Sequence, residues 1–313
     1  MDVGQLSENE RDLLAVLSVF VGGFTIDAAE AICPGTRAGG LPVRAMVDQL
    51  AARGALAPVA RHPERLDLAP GARRLAADDL EQVTGDTTIC GCPLRWACAE
   101  AGAGAAGLES RDQQAWLDRL ESEHDNFRAA LRWGTAEPGR GGALALAAAL
   151  GRFWEVRGHA KEGRRWLAGA TRLNPDAPAE IRARAANSTG LLALRQGDLA
   201  GAKAAYEESL ALHWQLDSRL GSAGVLHCLG NIAFQQRDLA EAERLFDESL
   251  TIGRQLDDDQ VVAASLTNLG AIAEVGGHRD RARSLYDEAL VAWEGRGDLY
   301  NGAAVLANLV TLA

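Results

Sequence analysis

The chain has 313 residues, of which 47% are hydrophobic and only 5% aromatic, and its formal net charge is −11. This hydrophobic content excludes wholesale disorder, and the scarcity of aromatic residues favours closely packed helices over sheets. The acidic balance argues against a non-specific nucleic-acid binder, because phosphate binding requires a basic surface.

The first predicted element is a helix over residues 6–20. Ser7 followed by Glu10 is a capping-box pattern, in which each side chain accepts a hydrogen bond from the other residue's backbone N–H. The apolar stretch that follows is preceded by acidic residues and is too short to span a membrane as a helix, which argues against a signal peptide. We therefore expect a core helix in a cytoplasmic protein that does not contact a membrane.

A winged-helix-like domain is predicted over residues 1–83, because three helices and a hairpin occur there in order. The elements after the first are helices over 26–32 and 42–53, two strands around His62-Pro63, and a helix over 70–83.

The third helix of a winged helix can contact DNA, and here it carries only Arg44 and Arg53, with Asp48 between them. Residues 1–85 contain eight arginines and twelve acidic residues, a balance of −4. This charge disfavours direct contact with nucleic acid. A DNA-binding regulator that uses its own winged helix is nevertheless kept as the alternative function.

Residues 84–115 are predicted to be a variable linker. Its three cysteines, Cys90, Cys92 and Cys98, lack a fourth ligand and the usual spacing of a structural zinc site, so we expect free thiols and no metal. The glycines at 102, 104 and 107 match the dinucleotide-binding pattern, but no strand precedes them. We therefore expect a loop there. The chain's five cysteines are odd in number and scattered, which favours a reducing compartment.

A connecting helix is predicted over residues 116–142, with an apolar stripe along one side. Its polar cluster could suggest acid–base catalysis by an enzyme hidden in residues 84–135. We expect a solvated helix face instead, because no pairing of a nucleophile with a base accompanies the cluster. The chain is therefore predicted not to be an enzyme and to need no cofactor. The residues of the cluster are Glu121, Glu123, His124, Asp125 and Asn126.

An internal repeat dominates residues 143–313. Similar stretches begin at Gly190, Gly230 and Gly270, a spacing of 40 residues both times. Glycine inside a helix costs about 1 kcal/mol relative to alanine, so three at one register indicate close packing of a second helix. Asp198 and Asp238 fit helix caps. Later positions also agree between copies: Ala202, Ala242 and Ala282, then Tyr206, Phe246 and Tyr286, then Leu210, Leu250 and Leu290.

These residues resemble the tetratricopeptide repeat, a helix-turn-helix unit with a Leu-Gly pair and later small and aromatic positions. The resemblance implies a mostly α protein whose C-terminal part is a right-handed α-solenoid of helix pairs. A degenerate copy begins at Gly151, and a last half-copy begins near Leu306. The apolar residues of that half-copy predict either self-association through this end or a continuation in a longer parent protein.

A second resemblance covers most of the chain. The stretches LSVFVGGFTIDAAEAIC, WLDRLESEHDNFRAALRW and GRFWEVRGHAKEGRRWL resemble parts of bacterial STAND-type transcriptional regulators, including LuxR-like and streptomycete antibiotic regulatory proteins. This implies the protein–protein interaction or signal-input part of such a regulator, with repeats that receive a partner. The ATPase of the family is absent, since no phosphate-binding loop occurs, so we expect no ATP binding.

The resemblance to tetratricopeptide repeats implies a partner-binding groove lined by the first helix of each pair. Its mixture of polar and apolar groups suits a protein or peptide segment, and its two arginines favour an acidic one. The predicted groove residues are Arg184, Asn187, Leu191, Arg195, His227, Asn231, Phe234, Gln235, Thr267 and Glu274.

Overall fold

A computed structural model describes residues 6–34, 38, 40–60, 62–83, 87–136 and 142–312. The chain forms two compact units, residues 1–177 and 178–313. Within the described residues, every helix is either too short or too polar to span a lipid bilayer.

The first unit contains ten described helices and one antiparallel pair of strands. In chain order these are α1 (Glu8–Leu17), α2 (Ile26–Ile32), α3 (Val43–Ala52), β1 (Leu56–Val59), β2 (His62–Leu68), α4 (Pro70–Val83), α5 (Thr87–Gly107), α6 (Gln113–Ser122), α7 (His124–Gly134), α8 (Ala143–Ala149), α9 (Gly151–Arg157) and α10 (Ala160–Leu173).

The first four helices and the hairpin lie where the sequence predicts them. The capping box of α1 is confirmed, because the Glu10 carboxylate accepts from the Ser7 backbone N–H at 2.8 Å and the Ser7 hydroxyl accepts from the Glu10 N–H at 3.3 Å. One detail of the hairpin is wrong. Val59 pairs with His62, so His62-Pro63 does not separate the two strands but begins β2. The assignment of these elements to the winged-helix class stays a prediction.

The interpretation of residues 87–107 as linker and glycine loop is wrong, because this segment is α5, a helix that packs against α2, α6, α7 and α8. The glycines serve that packing. A Cβ on Gly104 would lie 2.7 Å from Leu120 Cδ2, and one on Gly107 would lie 2.1 Å from the Trp116 ring. Tertiary contacts therefore stabilise a helix whose glycines and internal Pro93 disfavour it locally.

The predicted finer boundaries at 83, 115 and 142 stay predictions, but two differences bear on them. The connecting segment is two helices, α6 and α7, which break at Glu123. The degenerate copy that begins at Gly151 forms α9 and α10 and belongs to the first unit. Residues 143–177 therefore belong to the same compact unit as the N-terminal elements.

The second unit is a solenoid of antiparallel helix pairs with one further helix after them. Its described helices are α11 (Ala179–Arg195), α12 (Leu199–Gln215), α13 (Arg219–Gln235), α14 (Leu239–Gln255), α15 (Asp259–Val275), α16 (Arg279–Gly295) and α17 (Leu299–Leu312). Six of them are 17 residues long, so two helices and their turns account for the 40-residue period.

Each repeat glycine makes room for the aromatic ring of its own helix pair. A Cβ on Gly230 would lie 2.7 Å from Phe246 Cε1, and Gly190 and Gly270 face Tyr206 and Tyr286 in the same way. The sequence predicts close packing of a second helix against these glycines, and the structure shows that the aromatic rings of that helix fill the space. The glycine is required because a ring and a Cβ cannot occupy the same volume.

Two kinds of side-chain hydrogen bond recur at the 40-residue period. Asp198 and Asp238 accept hydrogen bonds from the backbone N–H three residues later, at 2.9 and 3.2 Å, which confirms both predicted caps. The buried hydroxyls of Ser209 and Ser249 donate to the carbonyls of Ala183 and Ala223, at 2.9 and 3.0 Å. Each serine ties the second helix of a pair to the first, a contact the sequence comparison missed.

Candidate partner-binding surface and buried polar clusters

The predicted groove residues lie on α11, α13 and α15, the first helices of the three pairs. Arg184, Arg195 and Gln235 are exposed. The others are half-buried, and none is fully buried: Asn187, Leu191, His227, Asn231, Phe234, Thr267 and Glu274.

Three of these side chains are engaged inside the array. The His227 ring lies edge-on to Phe246, with centroids 5.3 Å apart. The Thr267 hydroxyl accepts from the Trp293 indole at 3.3 Å, and the Glu274 carboxylate accepts from the Tyr286 hydroxyl at 3.0 Å. These side chains face helices of the solenoid, so they offer less to a ligand than the sequence suggests.

Asn231 connects two repeats. Its side-chain oxygen accepts from Asn268 Nδ2 at 3.1 Å, and the same Nδ2 lies 3.4 Å from His227 Nε2. Asn268 was missed because the prediction took its neighbour Thr267 as the groove position. The more accessible part of the predicted groove therefore consists of exposed or half-exposed side chains on α11 and α13: Arg184, Asn187, Leu191, Arg195, Asn231 and Gln235.

A cavity of about 300 Å³ lies between α12, α13 and α14, and no predicted groove residue lines it. Leucine, isoleucine and alanine side chains form its apolar part. Its charged side chains pair with one another, since Lys203 contacts Glu207 and Arg244 bonds to Glu241 and Glu248. This cavity offers a second surface against which the predicted groove can be tested.

A buried ion pair connects the hairpin to the junction of α6 and α7. The Arg65 guanidinium binds both carboxylate oxygens of Glu123, with Nη2 2.9 Å from Oε2, and Nη2 also donates to the Gly23 carbonyl at 2.7 Å. The side chains of Arg65 and Glu123 are 2% and 5% exposed, so water does not screen this pair.

Asn126 extends the same network to the loop after α1. Its side-chain oxygen accepts from the backbone N–H of Val21 at 2.9 Å, and its Nδ2 donates to Gly23 O and Glu123 Oε2. The prediction of a solvated polar face is therefore wrong for Glu123, His124 and Asn126, which are buried. The cluster holds the hairpin and the loop on the following helices.

A histidine cluster lies beside this network. The ring centroids of His124 and His159 are 4.4 Å apart, and His159 Nε2 lies 3.3 Å from a Glu121 carboxylate oxygen. One ligand atom from each of the three lies within 4.8 Å of the others, the donor set of many zinc sites. His124 Nε2, however, accepts from the Trp154 indole at 3.2 Å. A neutral imidazole has one lone pair, so His124 cannot also bind a metal without losing Trp154.

Acidification is expected to destabilise the first unit through this cluster. Burial, followed by the charges of Arg128 and His159, lowers the pKa of His124 to about 4. In the unfolded chain His124 takes up a proton at a higher pH than in the folded chain. The free energy of unfolding therefore decreases as the pH falls from about 6.5, the pKa in the unfolded chain, towards 4. Urea unfolding followed by tryptophan fluorescence should show a loss of about 1–2 kcal/mol between pH 7 and pH 5.

The His124→Gln variant should show a shallower pH dependence over this interval. The control is His278→Gln, at an exposed position outside this unit. If wild type and His124→Gln lose stability in parallel, His124 is not the titrating group.

The described cysteines form no disulfide with one another: Cys33, Cys92, Cys98 and Cys228. Burial raises the pKa of Cys98 to about 11, and its thiol donates to Gly142 O at 3.4 Å. Cys92 accepts from Arg95 Nη2 at 2.8 Å. The side chain of Cys90 lies outside the described residues.

Arg44 of α3 and Arg53, which directly follows this helix, are both engaged within the first unit. Arg44 pairs with Asp27 and Glu30, each at 3.4 Å, and Arg53 pairs with Glu10 at 3.5 Å. A recognition helix needs cations directed at phosphates, so these ion pairs weaken the DNA-binding alternative.

Comparison with known proteins agrees with a helical repeat fold. The family model of the tetratricopeptide repeat matches residues 221–309. Proteins of Mycobacterium tuberculosis and Mycobacterium bovis whose names describe them as HTH-type transcriptional regulators are 29% identical over 163 residues. That alignment covers 52% of this chain and 18% of each relative. The chain therefore spans less than a fifth of the length of these relatives.

Two solved structures resemble nearly the whole chain. Aspartyl phosphate phosphatase F from Bacillus subtilis matches with a TM-score of 0.58 and 10% identity, over 97% of this chain and 79% of that one. A STAND protein with a tetratricopeptide repeat sensor from Pyrococcus horikoshii matches with a TM-score of 0.51 and 12% identity, over 97% of this chain and 53% of that one. At these identities the likeness concerns the fold alone.

Proposed function

We propose that this chain is a protein–protein interaction and signal-input module of a STAND-like transcriptional regulator. The observation that carries the proposal is the tetratricopeptide match over residues 221–309, in an array whose first helices carry accessible polar side chains. Such repeats use extended surfaces of this kind to hold partners. The similarity to HTH-type regulators and to a STAND protein with a repeat sensor supports the regulatory role.

The partner is an acidic protein or peptide segment that binds in the groove formed by α11, α13 and α15. Three arginines and one glutamate give α11 a charge of +2, in a chain whose total is −11. Arg184 and Arg195 are exposed on this helix, and the polar amides of Asn187 and Asn231 lie nearby in the repeat register. Complementary charge would raise the association rate and select against basic segments.

Residues 1–83 are proposed to be the winged-helix segment of such a regulator, of the LuxR-like or streptomycete antibiotic regulatory type. Its role is to carry the repeats instead of binding DNA, since Arg44 of α3 and the following Arg53 lie in ion pairs. The proposed module acts in the cytoplasm, needs no cofactor and catalyses no reaction.

Charge reversal in the groove is expected to weaken partner binding at least tenfold. The test is affinity capture from the source organism, followed by titration of the captured partner against wild type and an Arg184→Glu, Arg195→Glu variant. Each reversed residue replaces attraction to an acidic segment by repulsion, so the main loss should appear at low salt. Asn231→Ala should give a smaller loss.

The matched control is Lys203→Glu, an exposed charge reversal at the cavity between α12, α13 and α14. It should leave the affinity unchanged. If the partner binds the groove variants normally but no longer binds the Lys203→Glu variant, the binding surface lies at that cavity. Thermal melts of all variants must coincide, which separates lost contacts from lost folding.

A further inference from the structure

A cleft of about 590 Å³ lies within the first unit, between α2, β2, α5 and α6. Its size is in the range of pockets that bind small organic molecules. All of its walls belong to one compact unit, and no residue of the predicted groove borders it. The cleft is therefore a separate candidate site.

Trp96 of α5 forms part of the wall of this cleft. Its ring packs against Phe20 and Phe127, with centroids 5.2 and 6.1 Å away, and the side chain is 8% exposed. No described residue accepts a hydrogen bond from its Nε1–H. This nitrogen is nevertheless not sealed from solvent, so the N–H opens into the cleft. A buried tryptophan normally donates to an acceptor, and here only a molecule in the cleft can supply one.

The charges around the cleft favour a cation. The described residues of its wall supply five carboxylates and two guanidiniums, a balance of −3. The two guanidiniums are already bound inside the wall, since Arg119 pairs with Glu100 at 2.8 Å and Arg65 pairs with Glu123 at 2.9 Å. They are therefore not available to an anion, and the remaining negative charge disfavours one.

Three carboxylates remain after these pairs. Asp27 and Asp118 each contact an arginine that lies outside the wall. Glu64 lies 3.3 Å from His62 Nδ1 and meets no arginine or lysine in the described part of the chain. Its side chain is 63% exposed, so its carboxylate lies at the open side of the cleft. A cation at this side would gain most from Glu64.

We propose that this cleft binds a small organic cation, one that carries a protonated amine or guanidinium together with a carbonyl or hydroxyl oxygen. The oxygen accepts from Trp96 Nε1–H inside the cleft. The cationic group lies at the open side, where Glu64 and Asp27 supply negative charge. Such a ligand is an input additional to the protein partner. The cleft lies on the first unit and the proposed groove on the second, so either proposal can fail without the other.

NMR of the tryptophan indole N–H groups in the full-length chain tests the site directly. The Trp96 signal is assigned by its loss in the Trp96→Phe variant. Glucosamine and argininamide both combine a cation with an oxygen acceptor, and we expect them to shift this signal saturably. N-acetylglucosamine, the neutral counterpart of glucosamine, should leave it unshifted. If neither cation shifts the signal at about 20 mM, or if N-acetylglucosamine shifts it equally, the proposal is wrong.

Two substitutions test the residues by ligand-observed NMR titration with glucosamine. Trp96→Phe keeps an aromatic ring but removes the N–H, and should weaken binding about three- to tenfold, the effect of one hydrogen bond. Glu64→Gln should weaken it about two- to fivefold, and less at high salt, as expected for an exposed charge pair.

The control is Glu109→Gln, at an exposed position of the same unit outside the cleft, and it should bind as wild type does. Melting temperatures that match wild type show that the variants are folded. A folded Trp96→Phe or Glu64→Gln variant with wild-type affinity for glucosamine would overturn the proposal.

Discussion

The Glu123→Ala variant should lose about 3–5 kcal/mol of unfolding free energy in the first unit, the cost of leaving one partner of a buried ion pair without the other. Arg65 would keep its charge in a site where its side chain is 2% exposed. Asn126 would lose an acceptor at 2.7 Å in the same network. Urea unfolding monitored by tryptophan fluorescence measures the loss.

Two controls define what the ion pair contributes. Asp125→Ala removes an exposed carboxylate that pairs with Arg128 from the same helix, and should cost at most about 1 kcal/mol. The double variant Arg65→Met, Glu123→Leu removes both charges and should recover much of the stability. If Glu123→Ala costs no more than Asp125→Ala, the pair does not hold the hairpin on the helices.

The Gly230→Val variant should destabilise the solenoid by about 3 kcal/mol or more, because overpacking in a close-packed core forces neighbours from their positions. A Cβ at this position would lie 2.7 Å from Phe246 Cε1 and 2.9 Å from its Cδ1. The ring is 1% exposed, so it is enclosed by other parts of the solenoid. Circular dichroism at 222 nm during thermal unfolding measures the effect.

Gly224 provides a matched control on the same helix. A Cβ at Gly224 meets nothing within 4 Å, so Gly224→Ala should stabilise α13 slightly through its higher helix propensity. Combining Gly230→Val with Phe246→Ala should restore part of the lost stability, because the smaller alanine side chain leaves room for the valine. Equal melting temperatures for Gly230→Val and wild type would show that the glycine is not a packing requirement.

The repeat array could be predicted because its information is local and periodic. The glycine, the aromatic residue and the aspartate cap recur at the same register, and the helices begin at the aspartates. The serine contact at Ser209 and Ser249 recurs at the same period and could have been found in the same comparison. The capping box of α1 needed only two residues three positions apart.

Helix α5 and the buried polar network could not be predicted in this way. The glycines of α5 indicate a loop until Leu120 and Trp116 are known to pack against them. The Arg65–Glu123 pair joins residues 58 positions apart, and Asn126 bonds to Gly23 over 103 positions. Helical periodicity assigned Glu123 and Asn126 to solvent, because it carries no information on which distant element covers a helix.

The proposed groove could be predicted only as a set of positions. The repeat register places Thr267 and Glu274 on the first helix of their pair, but their partners Trp293 and Tyr286 come from α16. Which side chains remain open depends on the size of the residues on the neighbouring helix. Exposed Arg184, Arg195 and Gln235 are therefore better anchors for a ligand than the side chains engaged inside the array.

The most direct test of the proposed function is site-specific photocrosslinking in the source organism. A photoreactive amino acid replaces Asn187 or Gln235 in the proposed groove in one set of cells, and Lys203 beside the cavity in the other. We expect one defined adduct from the groove positions, whose partner peptide is acidic, and none from position 203. Adducts formed only from position 203, or no adduct from either groove position, would contradict binding in the groove.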